Sequence, residues 1–198
     1  MNQNIQIIEK PEWVSWDEIH NVLWRAHEKN RQNGIIMALP ALPGNLIREK
    51  IEGHGKMFVA LDGEKVVGTA ALAIKQYSLW CGKGSYAYCC FASVLPEYNG
   101  KGIYKALDLR REELALSMGL VRMIGDTHES NKHRLDIAKK AGYKFVDYKS
   151  YKNHYNVVMV KWLNGCPYSE FRCKIEFHKR KLKVKIKQAT KSILRKQS

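Results

Sequence analysis

Two glycines in the stretch PEYNGKGIYKAL, residues 96–107, stand where a strand-like segment gives way to a helix-like one. The first amides of a helix have no carbonyl partner within the helix, and with the helix dipole they attract an anion. Gly100 and Gly102 let an anion approach the backbone, and Lys101 adds positive charge between them. Lys105 adds more one turn later. The pattern indicates pyrophosphate binding by main chain, and a purely steric turn is the alternative.

Two common phosphate-binding patterns do not describe this turn. No GxxxxGK[ST] stretch occurs in the chain, which excludes a P-loop. Three successive strand-like segments, residues 56–62, 65–74 and 85–95, lead into the turn. The dinucleotide fingerprint instead opens a first strand–helix–strand unit. A phosphate site at this turn would therefore belong to neither of these two classes, and the steric alternative stays open.

Candidate acid and base groups follow the strand-like segment VRMIGDT, residues 121–127. Asp126 and His128 are the catalytic candidates there, and Glu129 adjoins them. A carboxylate or an imidazole can take a proton from a reacting amine, and an imidazole can also donate one. Each has a structural alternative, since acidic residues favour the start of a helix and a histidine can simply lie in an exposed loop.

A third candidate lies in the apolar segment SYAYCCFASVL, residues 85–95. Tyr86 and Tyr88 share one face of a strand there, and Tyr88 is a candidate general acid if that face borders a substrate. Packing in the core is the alternative for both. The adjacent Cys89 and Cys90 are interpreted as buried thiols, because buried strand cysteines are usually inert.

No metal site is predicted. His128, Glu129 and His133 form an HExxxH sequence, which superficially resembles the HExxH of zinc proteases. The two histidines are five residues apart, so on a helix they point in different directions and cannot share a metal ion.

Hydrophobic periodicity places these residues on strands and helices in the order β, α, α, β, β, β, α, β, α, β, β. The predicted fold class is α/β in the α+β sense, with a mixed, mostly antiparallel sheet of about seven strands flanked by helices. A hairpin is expected at Asp62-Gly63, and Asn45 is a candidate cap of the second helix. Each strand–helix–strand crossover is expected to pair its strands in parallel. The predicted strands are residues 4–10, 56–62, 65–74, 85–95, 121–127, 143–148 and 156–163, and the predicted helices are residues 15–34, 45–53, 101–119 and 131–142.

The chain resembles the GNAT superfamily, whose members transfer an acyl group from coenzyme A to an amine. The resemblance covers residues 4–163 and rests on VLPEYNGKGIYKAL after one strand and ESNKHRLDIAKKAGYKF after the next. The family's motif is Gln or Arg, two residues, Gly, one residue, then Gly or Ala. The central glycine matches at Gly102, whereas Asn99 replaces Gln or Arg and Tyr104 replaces a small residue. The predicted order of elements is also that of the family.

The resemblance implies that acetyl-CoA binds along this turn as a cosubstrate. Amides from Asn99 to Lys105 are expected to hold the pyrophosphate, and main chain at the end of the preceding strand to pair with the pantetheine arm. Asn131 is expected to contact the coenzyme arm, with a plain helix cap as the alternative. The implied coenzyme-binding residues are Ser93, Val94, Leu95, Asn99, Gly100, Lys101, Gly102, Ile103, Tyr104, Lys105 and Asn131.

In many members of this family, a tyrosine four residues before the helix-ending glycine supplies the acid. Here that position is Ala138, four residues before Gly142, and Tyr143 is interpreted as a packing residue. The segment from Asn33 to Gly44, which often lines the acceptor site in the family, is apolar and lacks an acidic cluster. The expected function is direct transfer of an acetyl or other acyl group to an amine of a small-molecule acceptor. The alternative is a catalytically weak, GNAT-like binding module that acts through a basic tail on nucleic acid or a membrane surface.

Positive charge is concentrated at the C-terminus of this chain of 198 residues and net charge +15. Residues 166–198 hold eleven lysines and arginines against two glutamates, a net charge of +9. The expected organisation is an acyltransferase domain over residues 1–165 and a basic, amphipathic extension over residues 166–198. KLKVKIK alternates like a strand, but a helix is favoured. The apolar and aromatic positions at helical spacing are Phe171, Ile175, His178, Leu182, Ile186, Ala189 and Ile193.

Two interpretations of this extension are open. A helix packed on the domain with its lysines in water is favoured over attachment to anionic lipid or nucleic acid. Five cysteines without a CxxC pair indicate a reducing compartment, and the cytoplasm is the expected location. No signal-peptide pattern and no apolar run long enough to span a membrane are recognised in the sequence.

Overall fold

The computed structural model describes residues 5–35, 42–151 and 154–194. This part of the chain contains seven strands and six α-helices. The strands are β1 (Ile5–Glu9), β2 (Gly55–Asp62), β3 (Lys65–Leu79), β4 (Gly82–Val94), β5 (Arg122–His128), β6 (Lys144–Ser150) and β7 (Tyr155–Trp162). The helices are α1 (Trp16–Ala26), α2 (Glu28–Gln32), α3 (Gly44–Ile51), α4 (Ile103–Ser117), α5 (Lys132–Lys140) and α6 (Glu170–Leu194).

The strands follow the sheet order β1-β2-β3-β4-β5-β7-β6, which confirms the predicted seven-stranded, mostly antiparallel sheet. The chain divides into two compact units. Unit 1 comprises residues 1–76 and 85–123, and unit 2 comprises residues 77–84 and 124–198. The predicted organisation of the chain, a domain over residues 1–165 and an extension over residues 166–198, stays a prediction.

The core of unit 1 is built on an antiparallel meander. β2 pairs with β1 and with β3, and the predicted hairpin closes at Gly63, whose φ of 61° suits a tight turn. Residues of β3 from Val66 to Ala73 are buried without a break, so both faces of this strand are covered. β2 is buried in the same way over Met57–Leu61, so the meander is covered on both faces at β2 and β3.

β3 and β4 are longer than predicted. β3 continues five residues beyond Ile74, and β4 begins three residues before Ser85. The added segments are mostly polar, and Gln76 donates to Ser85 Oγ at 2.8 Å. The apolar pattern ends where burial ends, whereas strand pairing continues into solvent.

The first helices of unit 1 agree with the predicted boundaries only in part. Ser15 caps α1 in a capping box with Glu18, as the spacing predicts. The predicted single helix over residues 15–34 is divided at His27, which separates α1 from α2. The prediction that Asn45 caps the next helix is wrong, because Pro43 is the cap residue and Asn45 lies in the first turn.

α4 buries a charged pair instead of a wholly apolar face. Asp108 and Arg111 are both almost fully buried and form an ion pair of 2.5 Å, and Arg111 also donates to Ala71 O at 3.5 Å. Ile103 and Leu107 bury the apolar part of the helix. Met118, which follows the end of the helix, is exposed.

Unit 2 places β7 between β5 and β6. β6 and β7 form an antiparallel hairpin, with Lys144 opposite Val160. The expectation that the crossover through α5 makes its two strands parallel neighbours is therefore wrong for β5 and β6. The last strand of the chain fills the position between them.

α6 is one continuous helix that packs on β6. The segment KLKVKIK lies within it, which confirms the predicted helix over the alternating strand. Phe177 contacts the rings of Phe145 and Tyr148, with centroids 5.7 and 6.3 Å away. Cys173, one turn earlier, is also buried. The favoured interpretation of a helix packed against the protein is supported by these contacts.

Candidate functional site

The glycine turn of unit 1 has a backbone that only glycine adopts easily. After β4, Leu95 donates to Val67 O at 2.9 Å, and a short 3-10 helix spans Pro96–Tyr98. Gly100 and Gly102 then have φ angles of 80° and 76°. A Cβ atom at either glycine would find no heavy atom within 4 Å, so backbone conformation and not crowding requires glycine here. The steric alternative is therefore correct in that the positive φ angles require glycine at these two positions. The space beside the two glycines is open.

Gly102 is the cap residue of α4, and its carbonyl accepts the first helical hydrogen bond, from Ala106 N–H at 3.0 Å. The amides of residues 103–105 precede that bond and lie at the positive end of the helix dipole. Ile103 is buried and anchors the turn, while Lys105 is exposed. Asn99 differs from the prediction, because its N–H already donates to Pro96 O at 3.1 Å.

Cations surround Tyr98, which holds the base of the turn. Its hydroxyl donates to Asp62 Oδ2 at 2.7 Å. The Nζ atoms of Lys101 and Lys65 lie 4.6 and 5.3 Å from the centre of its ring. Lys101 therefore rests over an aromatic face, which fixes its charge next to the two glycines.

The end of β4 is fixed by a buried polar pair. Ser93 Oγ lies 2.9 Å from His27 Nε2, and Asn30 Nδ2 lies 3.0 Å from His27 Nδ1. Burial, with a further contribution from Arg31, lowers the pKa of His27 to about 4, so its imidazole is neutral near pH 7. The Ser93 side chain is thereby engaged by His27, which lies between α1 and α2. The expected main-chain contacts of Ser93, Val94 and Leu95 with a coenzyme stay a prediction.

Phe91 interrupts the regular geometry of β4. Its φ of 51° is positive, which is uncommon for a residue with a side chain, and its carbonyl accepts from Thr69 Oγ1 at 2.8 Å. Neither this irregularity nor the Ser93–His27 pair is predicted by the sequence. No local pattern marks Phe91, and the partners of the pair are 66 residues apart.

The tyrosine candidates of β4 differ in accessibility. Tyr86 is fully buried, and Arg122 donates to its hydroxyl at 3.2 Å. Tyr88 is half-buried, and Lys75 Nζ lies 3.9 Å from the centre of its ring. Of the two, only Tyr88 retains the accessibility that an acid would need.

In unit 2, the end of β5 brings Asp126 and His128 close to β7. Asn156 donates to Asp126 Oδ2 at 2.5 Å. His128 Nδ1 accepts from Ser130 N–H at 3.1 Å, and its ring stacks on His154 at 5.2 Å. Partial burial and then His154 lower the pKa of His128, against an opposing effect of Glu129. A neutral His128 therefore carries its proton on Nε2, where it is a hydrogen-bond donor.

Glu129 is committed to a structural pair. Its carboxylate accepts from Tyr148 Oη at 2.5 Å, and Lys181 of α6 lies 3.6 Å away. Burial, followed by the hydrogen bond to Glu129, raises the pKa of Tyr148, so the phenol is protonated. Because its carboxylate makes these contacts, Glu129 is assigned a structural role, unlike the catalytic candidates Asp126 and His128.

Asn131 caps α5 by accepting from Arg134 N–H at 3.2 Å, and it is buried. Its expected coenzyme contact stays a prediction. The position of the family's usual acid is Ala138, which has no hydroxyl group and is fully buried. Tyr143 is also buried, as a packing residue. No group of three or more potential metal-binding side chains occurs among the residues that the structure describes.

The sequence profile of the Acetyltransferase (GNAT) family matches residues 16–143. The chain belongs to the GNAT acetyltransferase family. The GNAT match contains the glycine turn, the whole of β4 and β5, and α5, and it supports acyl transfer from coenzyme A in general.

Solved structures share this GNAT fold. An acetyltransferase from Streptococcus agalactiae 2603 has a TM-score of 0.63 at 22% identity, covering 81% of this chain and 99% of that one. A GNAT family acetyltransferase from Elizabethkingia anophelis with acetyl-CoA bound has a TM-score of 0.59 at 14% identity, covering 82% and 100%. The ribosomal-protein-S18-alanine N-acetyltransferase from Escherichia coli has a TM-score of 0.59 at 12% identity, covering 80% and 94%. No curated protein matches the chain.

Proposed function

We propose that this GNAT protein transfers an acetyl or other acyl group from coenzyme A to an amine of a small-molecule acceptor by direct transfer. The glycine turn carries the proposal: Gly100 and Gly102 have positive φ angles and expose the positive end of α4. The residues present suit a pyrophosphate, because main-chain amides at a helix start bind phosphate oxygens without a specialised side chain. Asn99 and Tyr104, which depart from the family motif, would then affect only the two ends of the turn and not the glycines between them.

The coenzyme would lie along the residues inferred from the family. Gly100, Gly102 and the amides of residues 103–105 would hold the pyrophosphate, with Lys101 adding charge. Main chain of residues 93–95 would hold the pantetheine arm, with Leu95 contributing least because its N–H already donates to Val67 O and its carbonyl accepts from Tyr98 N–H. Asn131 remains a further proposed contact. Asn99 is a weaker amide donor than its neighbours, since Pro96 O already accepts from it.

The chain's own acid–base groups would manage the protons of the transfer. Bound acyl-CoA supplies a thioester carbonyl, at which a C–N bond forms and the C–S bond breaks. The Asp126 carboxylate is a proton acceptor for the amine, held by Asn156. His128, with its proton on Nε2, is a donor for the leaving thiolate, and Tyr88 is the alternative donor.

The acceptor is inferred more broadly than the donor. A small molecule with one accessible amine and an apolar part is favoured by the apolar segment from Asn33 to Gly44, of which residues 36–41 lie outside the described part of the structure. All five cysteines lie within that described part and are thiols, which suits the cytoplasm.

An assay of coenzyme A thiol release from acetyl-CoA, with a panel of amines, tests the function. We expect at least one amine to raise the rate above hydrolysis, and Asp126→Asn or His128→Gln to lower kcat by about 10²- to 10⁴-fold. Asp136→Asn and His133→Gln are matched controls on exposed positions of α5 and should change little. If no amine is acylated but acetyl-CoA still stabilises the protein, the catalytically weak binding module replaces the enzyme.

A further inference from the structure

α6 presents an apolar stripe on the side opposite to the one that packs on the protein. The packed face includes Cys173 and Phe177, which are buried. Phe171, Ile175, Leu182 and Ile186 have the helical spacing of one face, on which the exposed His178 lies between Ile175 and Leu182, and all four are exposed. The stripe is offset by two residues from Cys173 and Phe177, or about 200° around the helix.

The orientation of α6 is set by contacts on its packed face. Arg180 lies 3.6 Å from Asp147, and Lys181 lies 3.6 Å from Glu129. Gln188 donates to Ser150 Oγ at 2.6 Å, near the other end of β6. These contacts extend along the helix, so the apolar stripe faces away from β6.

The exposure of the stripe is large. Phe171 is 72% exposed, Leu182 61% and Ile186 57%. Scattered exposed apolar side chains are ordinary, but a continuous row along a helix marks a contact surface. We call Phe171, Ile175, Leu182 and Ile186 the outer stripe.

Positive charge flanks the outer stripe on both sides. Lys179, Lys183 and Lys187 lie along one side, and Lys174 and Lys185 along the other, all exposed. The whole helix carries nine lysines and arginines against two glutamates, a net charge of +7. An apolar stripe between two rows of lysines is the pattern of a helix that lies in the interface of an anionic bilayer.

We propose that the outer stripe of α6 binds the surface of an anionic lipid bilayer. The stripe enters the boundary between headgroups and acyl chains, and the flanking lysines contact the lipid phosphates and carboxylates. The helix would lie flat on the membrane, and no helix in the described part of the chain is long and apolar enough to cross one.

Other partners suit this surface less well. A nucleic acid would use the lysines but not the aliphatic side chains, and within the described part of α6 base stacking would have only the exposed rings of Phe171 and His178. A second copy of the chain would bring two helices of charge +7 together. The combination of aliphatic side chains and lysines therefore favours lipid.

Sedimentation of the full chain with vesicles tests the proposal. The vesicles are phosphatidylcholine with about one third phosphatidylserine, compared with pure phosphatidylcholine. We expect about tenfold or greater preference for the anionic vesicles, falling as salt rises. Absence of binding to the anionic vesicles at low salt overturns the proposal.

Paired variants identify the surface. Leu182→Gln with Ile186→Gln removes apolar area without changing charge and should weaken vesicle binding about tenfold or more. Leu109→Gln with Leu116→Gln changes two comparably exposed leucines of α4 and should leave vesicle binding unchanged. Lys183→Gln with Lys187→Gln should weaken binding and its salt dependence. Phe171→Gln offers a fourth variant at the most exposed position if the first pair lowers the melting temperature.

Four further results would contradict the proposal. The outer-stripe pair could bind vesicles as tightly as the unmodified chain, or the α4 pair could lose binding equally. The chain could bind an oligonucleotide through α6 while ignoring vesicles. Light scattering could also find a dimer that the outer-stripe pair dissociates.

Discussion

The two units of the molecule differ in the burial of their ion pairs and in the arrangement of their exposed apolar side chains. Unit 1 buries charged and polar side chains, including Asp108 with Arg111 and Ser93 with His27. Unit 2 keeps its ionic contacts partly in water, as at Glu129 and Lys181, and α6 exposes leucine and isoleucine. Polar groups that are buried and paired need no partner outside the unit, whereas exposed apolar groups have no packing role where they are. The first arrangement points to structure, and the second points to contact with another molecule.

The largest expected effect comes from the buried ion pair of α4. Asp108→Ala removes the carboxylate that Arg111 Nη2 contacts at 2.5 Å in a buried site, and breaking a buried pair costs about 3–5 kcal/mol of unfolding free energy. Urea unfolding measures the loss.

Glu113→Ala is the matched control for that substitution. Arg110 and Glu113 form an ion pair with the same three-residue spacing on the same helix, but both side chains are about half exposed. Breaking it should cost less than about 1 kcal/mol. Equal losses for Asp108→Ala and Glu113→Ala would remove the contrast between buried and exposed pairs.

Acid should destabilise unit 1 through His27. The unfolded chain binds a proton on this imidazole near pH 6.5, whereas the folded chain keeps it neutral down to about pH 4. Stability contributed by the neutral form is complete above pH 6.5 and is lost as pH falls toward 4, by about 3 kcal/mol. Unfolding free energies of the unmodified chain and His27→Gln across this range measure the effect, and parallel curves would refute it.

A smaller effect is expected in unit 2. Glu129→Gln keeps an acceptor for Tyr148 Oη but removes the charge opposite Lys181, both side chains being about one third exposed. The unfolding free energy should fall by about 1 kcal/mol or less. Tyr148→Phe, which removes the hydrogen bond itself, should cost about 1 kcal/mol. A loss as large as that of Asp108→Ala would make the two units alike.

Local patterns predicted the elements that local physics determines. The hairpin at Gly63, the capping box at Ser15 and the glycine turn before α4 each depend on a few adjacent residues. The family motif at Gly102 added the coenzyme, which the turn alone could not specify.

Contacts between distant residues could not be predicted in the same way. β7 lies between β5 and β6 because of sheet pairing that no single segment encodes. His27 and Ser93 meet across 66 residues. The packed face of α6 was also missed, because the outer stripe is the more apolar of the two faces. Aromatic contacts of Phe177 and the ion pairs of Arg180 and Lys181 select the other face.

Binding of acetyl-CoA at the glycine turn is the central claim, and calorimetric titration of three proteins tests it most directly. Gly102→Ala and Gly119→Ala both place a side chain at a left-handed φ, 76° and 70°, with no heavy atom within 4 Å. Each should therefore lose about 1–2 kcal/mol of stability. Only Gly102 lies at the proposed pyrophosphate site, at the start of α4, whereas Gly119 follows the end of the helix. We predict that Gly102→Ala weakens acetyl-CoA binding about tenfold or more while Gly119→Ala leaves it unchanged. Equal affinity of both variants, or no heat of binding from the unmodified chain, would contradict the account.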